Sequence, residues 1–267
     1  MPFFLFTLLD RYLAPPPEAE RVAFLKAQPF AHRGLHGSGR QGGSVTENSR
    51  AAFQAALDQG LGIELDVRAA AGREAFVFHD ADLDRLTDER GAIAKKMAHQ
   101  LDLIKLKGCD ETIPRLGEIL TLVAGRVPIL IEVKSESPSV NGVCIGIRRV
   151  LEGYLGPVAI MSFNPEIGRW FHRHARRYVR GLVVTEREEH GLVAKLKAWG
   201  LRRLSLWRAK PDFLAYDISK LPSVFAAEQR ARGLPVLTWT VRTADQEKTA
   251  LLHADEIIFE KPRASHG

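Results

Sequence analysis

Cysteine is nearly missing from this chain of 267 residues: only Cys109 and Cys144 occur. They lack CxxC spacing, which excludes a disulfide framework and a cysteine zinc site, so two reduced thiols are expected. Long hydrophobic runs are missing too. The apolar stretch at residues 3–9 is too short to span a bilayer. No basic segment precedes it and no small-residue cleavage site follows, so neither a signal peptide nor a transmembrane helix is expected. The chain reads as cytoplasmic, with peripheral membrane contact left open. No glycine-rich turn opens the first helix, as a doubly wound dinucleotide-binding sheet requires. The stretch "GLHGSGRQGG" has no Walker lysine pattern and reads as a lip over residues 36–46. Repeats and low-complexity segments are absent as well.

What is present is an ordinary globular balance, 45% hydrophobic and 26% charged. Formal charge is +6, with a pI near 9.4, which favours anionic partners: nucleic acid, a phospholipid surface or a phosphorylated small molecule. The basic run "RWFHRHARRYVR" (169–180) has helical spacing with Trp170 and Phe171 inward, a solvated face rather than a nucleic-acid site. The N-terminal "MPFFLFTLLDRYLAPPPE" reads as a short helix packed on the domain, with an interfacial anchor as the alternative.

After the prolines at 15–17, apolar β-type runs alternate with helical patterns. Strands are predicted at 29–33, 62–67, 127–134, 157–163, 179–185, 202–207, 234–241 and 255–260. Helices are predicted at 48–59, 115–124, 139–152, 164–176, 190–199, 222–232 and 244–252. Eight βα units in this length predict a (β/α)8 TIM barrel over 29–262. An N-terminal helical extension (1–28), a small insertion at about 80–127 after the second-strand hairpin, and a tail (263–267) complete the organisation.

The second strand, "GIELDV", is followed too closely by "EAFVFHD" for a parallel crossover, so the two are predicted to form a hairpin turning near Ala71–Gly72. That register sets residue 64 opposite 79. Glu64 and Asp66 share one strand face, and His79 is expected to join them. The other predicted strands carry polar or aromatic groups at their ends: His32 and Arg33, then Glu132 and Lys134, Ser162 and Phe163, Trp239, and Glu260. Barrel enzymes place their chemistry at these C-terminal ends. Three inward carboxylates, Glu64, Asp66 and Glu132, repel one another unless a cation neutralises them. Oxygen-only ligands suit a hard ion, Mg2+ or Ca2+. The alternative is a structural ion-pair network with Arg33, Lys134 or other bases. His32 and His79 beside such a cluster suggest an acid/base pair. Arg33 and Lys134 supply fixed positive charge for an anionic phosphate, and Trp239 offers a flat wall for an apolar or polyol group.

The run "AHRG … TENSRAAFQAALDQG … IELDVR … FVFHDADLDRLTD", followed by "IPRLGEIL", "ILIEVK", "MSFNPE" and "PVLTWTV", resembles the glycerophosphodiester phosphodiesterases over residues 29 to 262. The resemblance implies a TIM barrel, one divalent cation, and hydrolysis of glycerophosphodiesters to sn-glycerol 3-phosphate and an alcohol. By position it implies His32 and His79 as catalytic histidines and Glu64, Asp66 and Glu132 as metal ligands. Arg33 and Lys134 fall at the family's phosphate contacts and Trp239 at its substrate wall. Glu47 in "TENS" matches a glutamate supporting the metal site. The chain departs from the pattern at Thr46, in the glycine-rich loop before it, and at "FEKP", where the family commonly has threonine–aspartate before proline. A lysophospholipase D or sphingomyelinase D-like enzyme and a noncatalytic phosphate-binding barrel are the alternative readings.

Overall fold

The computed structural model describes residues 2–38, 44–186 and 190–260; parts of the lip, with Arg40, and the tail at 263–267 lie outside them. Its strands are β1 (Phe30–Ala31), β2 (Gly37–Ser38), β3 (Ser44–Val45), β4 (Gly62–Ala69), β5 (Ala75–Val77), β6 (Ile129–Val133), β7 (Val158–Ser162), β8 (Val179–Val184), β9 (Phe213–Asp217), β10 (Val236–Val241) and β11 (Glu256–Phe259). Nine of them form one sheet in the order β1-β11-β10-β9-β8-β7-β6-β4-β5, and β1 also pairs with β4. With β5 set aside as a hairpin arm, the strand order therefore returns on itself. The β1–β11, β1–β4, β4–β6, β7–β8, β8–β9 and β9–β10 ladders are all parallel. This is the expected (β/α)8 topology. Strands buried throughout their length explain the continuous apolar runs, such as "ILIEV" and "VAIMS".

The chain divides into two compact units. One comprises the chain up to Ala27 and Ala159–Ile257. Its core gathers Leu182, Leu206, Leu214, Phe225 and Val236. Within it the N-terminal helix Pro2–Leu13 is tied down by Asp10, which is buried, pairs with Arg203, and accepts from Trp207 Nε1 (2.7 Å) and Gln229 Nε2 (3.0 Å). Phe6 packs edge-on against Trp199, ring centroids 4.5 Å apart.

One strand prediction fails here. Residues 202–207 lie inside the helix Leu192–Ala209, and the sixth barrel strand is β9. Leucines 204 and 206 imitate strand alternation, and Gly200 imitates a helix end. The helix instead runs through Gly200, burying Arg203, Leu206 and Ala209 at three-residue spacing. It ends at left-handed Lys210, immediately before Pro211.

The other unit comprises Gln28–Val158 and the chain from Ile258. Here Phe76, Phe78, Leu83, Ile93, Leu101, Leu106 and Ile113 make a satellite core under the segment after the hairpin. The helix Arg50–Asp58 starts on Ser49, whose hydroxyl accepts from Ala52 N at 3.1 Å. Ser49→Ala should lower stability by about 1 kcal/mol, read as a fall in the urea midpoint at unchanged slope. A change of slope would point to the denatured state instead.

Candidate active site

The chain leaves β1 at His32 and reverses through Arg33 (φ 56) and Gly34 (φ 78). A side chain at Gly34 would come within 2.8 Å of Ala52 carbonyl carbon, so the close approach requires glycine. Asn48 N donates to Arg33 O at 2.9 Å, and Arg33 N donates to Glu64 Oε2 at 3.0 Å. The loop is thereby fastened onto β4. Glu64 and Asp66 alternate onto one face of β4, and the parallel register sets Glu132 of β6 beside Asp66. Each of the three carboxylates contributes an oxygen within 4.8 Å of the others, and all three are buried. Asn48 Nδ2 donates to Asp66 Oδ2 at 2.9 Å.

The three carboxylates differ in proton affinity. Burial, then the charges of Asp66 and Glu132, hold Glu64 well above the ordinary carboxylate range. Burial also raises Glu132, against the pull of Lys134. For Asp66 burial acts in the same sense, but Lys134 and Arg33 outweigh it and keep the group ionised. The pairs behind this are Arg33 Nε–Asp66 Oδ2 (3.1 Å), Lys134 Nζ–Asp66 Oδ1 (3.1 Å) and Lys134 Nζ–Glu132 Oε1 (2.6 Å). The ion-pair network that sequence reasoning weighed against a metal is therefore present, yet it leaves the cluster incompletely served. Glu64 Oε1 is buried and has no hydrogen-bond donor among the described residues. An acceptor in that position costs free energy until a donor or a cation meets it. The residues fit an oxygen-ligated cation.

Both predicted histidines reach this cluster, although His79 does so by an unforeseen route. The β4–β5 ladder pairs Val67 with Val77 and Arg68 with Phe76, one residue out of the predicted register. Continued alternation would turn residue 79 away from Asp66. The ladder instead ends at Val77, and past Phe78 the chain leaves the strand, so His79 remains close enough to Asp66 for each to shift the other's proton affinity. His79 Nδ1 lies 2.6 Å from Asp80 Oδ1. His32 Nδ1 lies 2.7 Å from Glu260 Oε1, and its Nε2 lies 3.9 Å from Glu64 Oε2. Burial lowers the pKa of both rings, partly offset by Glu260 at His32 and by Asp66 at His79. A carboxylate on Nδ1 fixes that nitrogen as the donor and leaves Nε2 as the working atom of the neutral ring.

Glu47 sits one step back from the cluster. Its carboxylate accepts from Arg33 Nη1 (2.8 Å) and from Arg85 Nη2 (2.7 Å), and Arg85 in turn holds Asp80 through Nε and Nη2. A chain of charge thus runs from Asp66 through Arg33, Glu47 and Arg85 to Asp80 and His79. Sequence reasoning missed Asn48, Asp80 and Arg85, and gave Glu260 no role. The "HD" pair and the polar end of the last strand were the available signals for two of them. Trp239 is in the other unit, on β10; its Nε1 donates to Ala215 O at 2.9 Å and its ring meets Phe163 edge-on at 5.5 Å.

The sequence matches the Glycerophosphoryl diester phosphodiesterase family over residues 32–263. The chain belongs to that family. Glycerophosphodiester phosphodiesterase 1 of Rattus norvegicus is 23% identical over 281 residues, covering 90% of this chain and 81% of that one. YhdW of Bacillus subtilis is 25% identical over 249 residues, covering 87% and 94%. Among solved structures, an Oleispira antarctica phosphodiesterase in complex with the product sn-glycerol-3-phosphate superposes with a TM-score of 0.73 at 22% identity, covering 87% of this chain and 92% of that one. The fold is the TIM barrel.

Proposed function

We propose that this glycerophosphodiester phosphodiesterase family member hydrolyses glycerophosphodiesters such as glycerophosphocholine and glycerophosphoethanolamine to sn-glycerol 3-phosphate and an alcohol, using the groups gathered around Glu64. The observation that carries the reading is the buried trio Glu64, Asp66 and Glu132 flanked by two histidines, each with a carboxylate on Nδ1. The trio would hold one Mg2+ or Ca2+, which supplies Lewis-acid neutralisation of phosphate charge when bound. Arg33 and Lys134 add fixed cations for the nonbridging oxygens, with Lys134 suited to charge that builds at phosphorus. Of the two imidazoles, one takes the proton of the nucleophile at Nε2 and the other delivers one to the leaving alkoxide. Glu47 holds Arg33 in place. Trp239 lines the substrate, its ring fixed by the bond to Ala215.

The test is a substrate panel with Mg2+ or Ca2+, comparing glycerophosphocholine, glycerophosphoethanolamine, glycerophosphoglycerol and a lysophospholipid. Turnover of the glycerophosphodiesters at higher kcat/KM supports the reading; preference for the lysophospholipid replaces it with the lipid-acting one. Two further outcomes are expected. Glu260→Ala should lower kcat at least about tenfold, equivalent to about 1.4 kcal/mol, with little change in KM. Glu260→Gln should recover part of that loss; equal activity of both variants and wild type would deny Glu260 a positioning role. Trp239→Ala should raise KM more than it lowers kcat, and the reverse pattern would place the indole in the chemical step.

One observation favours contact with phospholipid. The helix Leu192–Ala209 exposes Leu192, Val193, Leu196, Leu201 and Leu204, and Leu8 and Tyr12 are exposed on the N-terminal helix of the same unit. No helix among the described residues is long and apolar enough to cross a membrane. Co-sedimentation with anionic vesicles, lost in a Leu192→Glu/Leu196→Glu variant, is the expected result for a peripheral surface.

A further inference from the structure

The unit that holds the carboxylate trio brings together a second group of ligands, of a different chemical kind. His32, His36 and Glu260 each offer a donor atom within 4.8 Å of the others. The backbone accounts for this. Arg33 and Gly34 are both left-handed, Leu35 N donates to Ala52 O (2.9 Å), and His36 N donates to Gly34 O (3.1 Å). The chain therefore doubles back within four residues of His32, and the end of β11 delivers Glu260 to His32 Nδ1 at 2.7 Å.

We infer that His32, His36 and Glu260 form an inhibitory site for a borderline divalent ion, represented by Zn2+, separate from the oxygen-only trio. Two imidazoles and one carboxylate make a three-ligand set that suits zinc with a fourth position left open. Mg2+ and Ca2+ prefer oxygen ligands in larger number. The two clusters sort ions by donor type while sharing an edge, because His32 turns Nδ1 toward Glu260 and Nε2 toward Glu64, 3.9 Å away. A neutral imidazole carries one proton. With zinc on Nδ1 that proton resides on Nε2, so the ring becomes a donor only and no longer accepts a proton there. The inhibitory consequence rests on the proposed acid/base role of His32; the existence of the site does not.

The experiment is a Zn2+ titration by calorimetry on the intact protein in saturating Mg2+, for wild type and His36→Gln, with activity assayed in parallel. Wild type should bind one Zn2+ per chain and lose activity as the site fills. His36→Gln should bind Zn2+ at least about tenfold more weakly, because removing a direct ligand costs no less than removing its outer partner. Its inhibition curve should move by the same factor, while its zinc-free activity stays at the wild-type level. Mg2+ binding by the variant, followed by calorimetry, checks that its fold is intact. Equal zinc affinity in the two proteins, or no zinc binding by wild type, would overturn the site. Full occupancy without inhibition would overturn the inhibitory role. If no diester is turned over at all, the calorimetry still decides whether the site exists, so the two readings fail separately.

Discussion

Chelation of divalent cations should abolish turnover, and Mg2+ or Ca2+ should restore it. The reason lies in the electrostatics of three buried carboxylates served by two bases. Glu64 is forced upward by burial and by its neighbours' charges, and its Oε1 meets no donor among the described residues. A bound cation relieves both costs. Glu64→Gln removes the repulsion with Asp66 and Glu132, so the demetallated variant should melt no lower than demetallated wild type. Asp66→Asn has the opposite sign, since it leaves Arg33 and Lys134 in a buried site without their main counter-charge. Both variants should lose the cation. At a hundredfold excess over Kd, binding to the native state stabilises by about 2.7 kcal/mol. Mg2+ should therefore raise the melting temperature of wild type and neither variant. Unchanged turnover in exhaustively demetallated protein, or an equal Mg2+ shift in all three, contradicts the ligand assignment.

The second large effect concerns the histidines. His32→Ala and His79→Ala should each lower kcat at least about 100-fold, the usual consequence of losing a general acid or base. That corresponds to about 2.7 kcal/mol of barrier. The two variants should part company on an activated diester. A p-nitrophenolate leaving group needs little protonation, so the variant lacking the acid should be partly rescued and the variant lacking the base should not. This comparison assigns the two roles. Full activity in both variants on natural diesters would make the histidines structural.

Much of this site is legible in the sequence because strand geometry is periodic. Glu64 and Asp66 share a face by simple alternation, and Glu132 joins them because parallel strands run in register. What escapes is set by tertiary contacts. The Arg85 bridge between Glu47 and Asp80 spans 38 residues of sequence, and no local pattern links them. Glu260 reaches His32 across 228 residues, through the closure of β11 onto β1. His79 sits beside Asp66 for another reason than the alternation predicted, because a pairing register shifted by one residue reverses the facing of every side chain in the arm. The misread strand at 202–207 shows the same limit: alternate leucines fit a strand or a helix, and the burial of Arg203 against Asp10 decides for the helix.

The central claim is tested most directly by identifying both products of glycerophosphocholine hydrolysis, the phosphorylated one by phosphorus NMR and the alcohol by proton NMR, with added Mg2+ or Ca2+. The expected result is sn-glycerol 3-phosphate and free choline, formed in equal amounts and lost with His32→Ala. Phosphocholine and glycerol as products, or no consumption of any glycerophosphodiester by the metal-loaded protein, would contradict it.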